Sequence, residues 1–101
     1  MAKRRLHNQI DEVIHQRTRL AIMAALAGVK ALDFAELKAQ LGLTDGNLST
    51  HLAALERAGY ARITKTFKGK KPHTAVAVSA KGRRALASYV SCLQGILDKA
   101  T

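Results

Sequence analysis

Apolar residues recur along this chain in two rhythms. The first is helical. Ile10, Val13 and Ile14 fall at i, i+3 and i+4, and Leu20, Met23, Ala24 and Ala27 continue a face of that kind. The spacing predicts a helix that opens over residues 8–14 and runs to a stop at Gly28. Residues 29–32 suit a short strand. Asp33-Phe34-Ala35-Glu36 then reads as a capping box, with Phe34, Leu37 and Leu41 as a buried helix face behind it. Gly42 tolerates the left-handed conformation at a helix end, which lets Leu43 fold back toward Leu37. Thr44 is a good N-cap for the next helix, whose stripe is Leu48, Leu52 and Leu55. Gly59 closes that helix as Gly42 closed the last, and Tyr60 packs back on Leu55. Two short helices around a tight glycine turn form a helix-turn-helix.

The second rhythm is alternation. Over residues 60–67, Ala61, Ile63 and Phe67 share one face and Arg62, Thr64 and Thr66 the other. Residues 73–78 alternate again, with Thr74, Val76 and Val78 on one side. Between them Lys68-Gly69-Lys70-Lys71-Pro72 is a turn, so the segment predicts a hairpin with a basic tip. Ser79 caps a final helix, along which Leu86, Tyr89, Val90, Leu93, Ile96 and Leu97 recur at three and four. The expected fold is mainly α with a small β-hairpin. It is a winged helix-turn-helix whose long N- and C-terminal helices form a dimer interface.

Composition narrows the picture. A chain of 101 residues, 48% of them hydrophobic, has room for one folded domain. We expect a basic arm over residues 1–8 and the winged helix over 9–98. Lys and Arg number 17 against 7 Asp and Glu, a net charge of +10. Such a field attracts polyanions, nucleic acid first and a membrane surface second. Merely solvated lysines are the plain alternative. Cys92 is the only cysteine, which rules out an intrachain disulfide and fits a reducing compartment. With neither a signal-peptide pattern nor a bilayer-spanning apolar run, the expectation is a cytoplasmic protein.

On a helical wheel the face opposite Leu48, Leu52 and Leu55 carries small and polar residues, among them Gly46, Asn47, Thr50 and Arg57, with Ser49 and His51 on the flanks. Asn47, Thr50 and His51 are candidates to meet base edges, Ser49 a base or phosphate, and Arg57 a phosphate. His51 equally fits a partly buried packing role. Asp45 favours the helix N-terminus electrostatically and could accept from a cytosine amine. Lys68, Lys70 and Lys71, flanked by Arg62 and Lys65, suit the phosphate backbone. Lys3, Arg4 and Arg5 suit a second phosphate-seeking arm, and Arg83 and Arg84 fit either a phosphate or water.

The run Phe34-Ala35-Glu36-Leu37-Lys38, then Leu41-Gly42-Leu43-Thr44-Asp45-Gly46-Asn47-Leu48-Ser49-Thr50-His51-Leu52 and Leu55-Glu56-Arg57-Ala58-Gly59-Tyr60, resembles winged-helix regulators of the MarR/ArsR-type superfamily. It looks closest to a small stand-alone subgroup with the Leu-Thr-Asp-Gly-Asn-Leu-Ser pattern. Lys65 to Pro72 looks like that subgroup's wing, and Ser79-Ala80-Lys81-Gly82-Arg83 like the start of its last helix. The resemblance covers roughly residues 10–97 and implies DNA binding by dimers.

For a dimer interface the candidates are Ile10, Val13, Ile14, Tyr89, Val90, Leu93, Ile96 and Leu97. The alternative is that they only close the monomer core. His7, His15, His51 and His73 are scattered, so neither metal nor cofactor is expected. The partners expected are duplex DNA and a second copy, with a small-molecule effector left open and no membrane. The leading function is a sequence-specific transcriptional regulator, in the repressor role. A non-specific nucleic-acid binder and a protein-interaction winged helix are the alternatives. An enzyme is the weakest option, because no nucleophile–base pair, carboxylate dyad or phosphate loop appears.

Overall fold

The computed structural model describes residues 9–101. Its elements run α1 (Arg17–Ala27), β1 (Leu32–Asp33), α2 (Phe34–Leu41), α3 (Asp45–Arg57), β2 (Ala61–Lys68), β3 (Lys71–Val78) and α4 (Ala80–Ala100). The three strands form one antiparallel sheet in the order β1-β3-β2. This is a winged helix, mainly helical, as the patterning predicts. The basic arm of residues 1–8 lies outside the described residues.

The first helix begins later than its periodicity predicts. Residues 10–14 form a turn instead, because the Asp11 carboxylate accepts from the amides of Val13 at 2.9 Å and Ile14 at 3.2 Å. A side chain that bonds nearby amides offers the backbone an alternative to helix. Gln16 is extended at φ −141° and caps α1, its side chain accepting from Arg19 N at 2.8 Å. The N-terminal helix is therefore 11 residues rather than long, preceded by a strap over residues 9–16. Its buried face is also offset. Ile22, Met23 and Leu26 are sequestered, whereas Ala24 is exposed and Ala27 half-buried, since the bulkier side chains take the core.

The helix-turn-helix follows the local signals closely. Asp33 and Glu36 form the capping box of α2, with Glu36 accepting from Asp33 N at 3.2 Å. Gly42 sits at φ +64°, and Leu43 N donates to Lys38 O at 3.1 Å to close the helix end. Thr44 Oγ1 then accepts from Asn47 N at 3.1 Å to start α3. At the far end Gly59 adopts φ +80° and Tyr60 N donates to Leu55 O at 2.9 Å.

The short strand forms at residues 32–33 rather than 29–32, with Leu32 opposite Val76. The wing is a tighter hairpin than the five-residue turn expected. Lys68 pairs with Lys71, so only Gly69 and Lys70 turn, and Gly69 supplies φ +64°. Because the strands run past the core, Phe67 is 73% exposed although it shares a face with Ile63.

Ser79 caps α4, accepting from Gly82 N at 2.9 Å and donating to Gly59 O at 2.6 Å. The core gathers Ile14, Ile22, Met23, Leu26, Leu37, Leu48, Leu52, Leu55 and Val76, all under 2% exposed or nearly so. Burying each such side chain contributes about 1.5–3 kcal/mol. Ile14 and Tyr89, expected at a dimer interface, belong to this single-chain core. The strap is tied down at two further points. His15 Nδ1 lies 2.8 Å from the Tyr89 hydroxyl, and the Tyr60 hydroxyl donates to Asp11.

Candidate nucleic-acid interface

Leu48, Leu52 and Leu55 hold α3 against the core, and this fixes what its other side presents. Asp45, Gly46, Asn47, Ser49, Thr50 and Arg57 are exposed. His51 stands on the flank, half-buried, with the Arg19 guanidinium of α1 at 3.3 Å from its Nδ1. The exposed Asp45 carboxylate accepts from the Lys38 ammonium at 2.8 Å and so bridges α3 to α2 across the tight turn. The first turn of α3 keeps its positive dipole end directed outward, where an anion is favoured.

The wing lies alongside. A groove of about 350 Å³ separates α3 from the sheet, with Ser49, Ala53 and Glu56 on one wall and Ile63, Lys65 and Thr74 on the other. Lys65 is thereby brought to the polar side of α3. Strand alternation sends Arg62 and Lys68 to the opposite face of the hairpin, opposite Ala77 and Lys71 in the register. Lys68 leans further back, its Nζ 3.6 Å from Asp33 Oδ2, and His73 Nδ1 faces the same oxygen at 3.6 Å. Lys70 stands at the exposed apex beside Lys71. The eleven residues singled out from the sequence thus divide by position. Ser49 and Lys65 face each other across the groove. Asp45, Asn47, Thr50 and Arg57 are exposed on α3 outside its lining, with Asn47 beside Arg17 and Thr18 of α1. His51 stands against Arg19, Lys70 and Lys71 end the wing, and Arg62 and Lys68 back it.

Three participants were not legible beforehand. Lys38, Arg19 and Asp33 each act across elements, and only Asp33 carried a local signal, through its capping box. Arg83, left open between phosphate and water, is taken by the protein. It donates to Ala27 O at 2.8 Å and Val29 O at 3.3 Å, holding the end of α1. The Tyr60 hydroxyl is pushed up to about 12 by its hydrogen bond to Asp11, reinforced by burial and by the carboxylate charge.

Elsewhere, an open apolar trough of about 810 Å³ runs along α4 past Leu86, Val90 and Gly95. Val90, which lines it, is 55% exposed, and Leu97, farther along α4, is 51% exposed. Cys92 is half-buried. No group of three or more His, Cys, Asp or Glu able to hold a metal occurs among the described residues. No helix among them is long and apolar enough to cross a membrane.

A family model described as a winged helix DNA-binding domain matches residues 18–97. An uncharacterized protein of Methanocaldococcus jannaschii is 34% identical over 79 residues, which is 78% of this chain and 86% of that protein. Among solved structures, a transcriptional regulator homologue from Pyrococcus horikoshii superposes with a TM-score of 0.84 at 28% identity, over 89% of each chain. The M. tuberculosis transcriptional regulator MOSR, solved in complex with DNA, gives a TM-score of 0.70 at 22% identity, over 95% of this chain and 65% of its own. At that identity the likeness is one of fold.

Proposed function

We propose that this chain, which belongs to the winged helix DNA-binding domain family, is a sequence-specific transcriptional regulator that binds duplex DNA as a homodimer and represses the genes whose control sites it covers. The observation that carries the reading is the exposed polar side of α3 with the lysine-bearing hairpin across a single groove from it. Helix and wing can then touch one duplex together. Asn47, Ser49, Thr50 and His51 are assigned to the major groove, and Arg57 to a phosphate beyond them. Lys65, Lys70 and Lys71 supply phosphate contacts from the wing, and Arg62 and Lys68 add positive potential from its back. Asp45 serves the helix N-terminus and holds Lys38. The domain spans residues 9–98, with the basic arm before it as a further phosphate-seeking segment.

Two copies meet through the outward side of α4, around Val90, Leu93, Ile96 and Leu97, with Ile10 and Val13 at the margin. Ile14 and Tyr89 lie in the single-chain core. A two-fold dimer presents two α3 helices to half-sites about one DNA turn apart.

Selection of bound duplexes from a random pool at physiological salt tests the reading. The expected result is an enriched pair of related half-sites bound much more tightly than random duplex. The net charge of +10 favours a second reading, binding without sequence preference. Equal affinity for selected and random duplex at matched salt would replace the first reading with the second.

A further inference from the structure

Arg19 and His51 come from different helices and meet at 3.3 Å, Arg19 Nη1 to His51 Nδ1. A guanidinium carries only N–H donors, remains charged, and has no lone pair to offer. For the contact to be a hydrogen bond, Nδ1 must be the acceptor. The imidazole is then neutral with its proton on Nε2. Arg19 is itself fixed by the strap, because its Nε donates to Val13 O and its Nη2 to Glu12 O at 3.4 Å. Among the described residues, no buried side-chain nitrogen or oxygen lacks a partner, and nothing described takes the Nε2 proton. That proton therefore faces solvent, on the flank of α3 next to Thr50.

We propose that Arg19 is a positioning residue that sets His51 as a fixed hydrogen-bond donor, directed at an acceptor on a major-groove base edge. The eligible acceptors are purine N7, guanine O6 and thymine O4. An unrestrained imidazole could offer either a donor or an acceptor and so tolerate the amines of cytosine and adenine. Held by Arg19, it refuses them. The inference rests on the proposed base-reading role of α3.

Two experiments test it separately from that role. Long-range proton–nitrogen NMR of the full chain, at about pH 8 where ordinary imidazoles are neutral, reads the tautomer without DNA. The expected spectrum has His51 wholly as the Nε2–H form, relaxing to a mixture in Arg19→Ala. A wild-type Nδ1–H form, or a tautomer that Arg19→Ala leaves unchanged, overturns the inference and leaves base reading by α3 standing. The second experiment uses the selected duplex with single acceptors removed or weakened, by 7-deazapurine, 6-thioguanine or 4-thiothymine. One such change should cost the wild type about three- to tenfold in affinity, the worth of a hydrogen bond. It should cost His51→Ala nothing, and Arg19→Ala in the His51→Ala background should change that discrimination no further. Sensitivity only to methylphosphonate linkages assigns His51 to a phosphate and overturns the inference. If no duplex is preferred, the base-reading premise fails, and the inference with it, whichever tautomer is seen.

Discussion

Gly82 has room for no side chain. A Cβ there would stand 2.2 Å from the Tyr60 carbonyl oxygen and 2.8 Å from Val78 Cγ2, and the first of these is backbone that cannot swing aside. Gly82→Ala should therefore lift the start of α4 and destabilise the fold by about 1–3 kcal/mol, read as a lower Tm. Gly95, on the same helix with nothing within 4 Å, is the control. Gly95→Ala should raise Tm slightly through helix propensity. Tyr60 makes a different residue-scale prediction. Its neutral hydroxyl is the form that donates to Asp11, and folding moves its pKa from 10.0 up to about 12. The bond's contribution is complete below the unfolded pKa and fades as pH rises through the folded one. The stability gap between wild type and Tyr60→Phe should stay constant up to about pH 10 and close toward about pH 12, by chemical denaturation at stepped pH.

At the scale of elements, the two faces of the DNA-binding apparatus should respond differently to substitution. Asn47→Ala, on exposed α3, should relax preference among duplexes. Lys70→Ala, at the wing apex, should weaken every duplex alike and lower the slope of log K against log salt by about one unit. Equivalent behaviour of the two in salt-titrated binding assays would undo the division of roles. These elements also differ in how legible they were. The capping box at Asp33, the left-handed turn at Gly42 and the Thr44 cap are set by neighbours in sequence, so local chemistry announces them. The start of α1 is set by Asp11, whose carboxylate also holds Tyr60 from 49 residues away. No window of periodicity contains that information, and Ile10, Val13 and Ile14 mimic a helical face while forming a turn. In the wing the alternation of strands was visible. The two-residue turn depended on pairing Lys68 with Lys71, and the withdrawal of Lys68 toward Asp33 on a third strand. Lys38 and Asp45 meet only because the turn at Gly42 brings two helices together.

At the scale of the whole molecule, α4 carries two large apolar side chains, Val90 and Leu97, that are more than half exposed among the described residues. Replacing Val90 and Leu97 together with Asp should give a monomer by sedimentation equilibrium, with the helical circular dichroism retained because both side chains are more than half exposed. The variant should lose far more affinity for a duplex with two half-sites than for one with a single half-site, since linked binding disappears. Unchanged sedimentation would overturn the proposed dimer contact on α4.

The strap over residues 9–16 has an optical corollary. The chain has two tyrosines and no tryptophan. Both phenol groups are bonded to strap residues, Tyr60 to Asp11 and Tyr89 to His15. Ultraviolet emission from the unlabelled protein therefore comes from two fluorophores that each report whether this one segment is attached, and a stopped-flow trace of it would time the strap's release without any added dye.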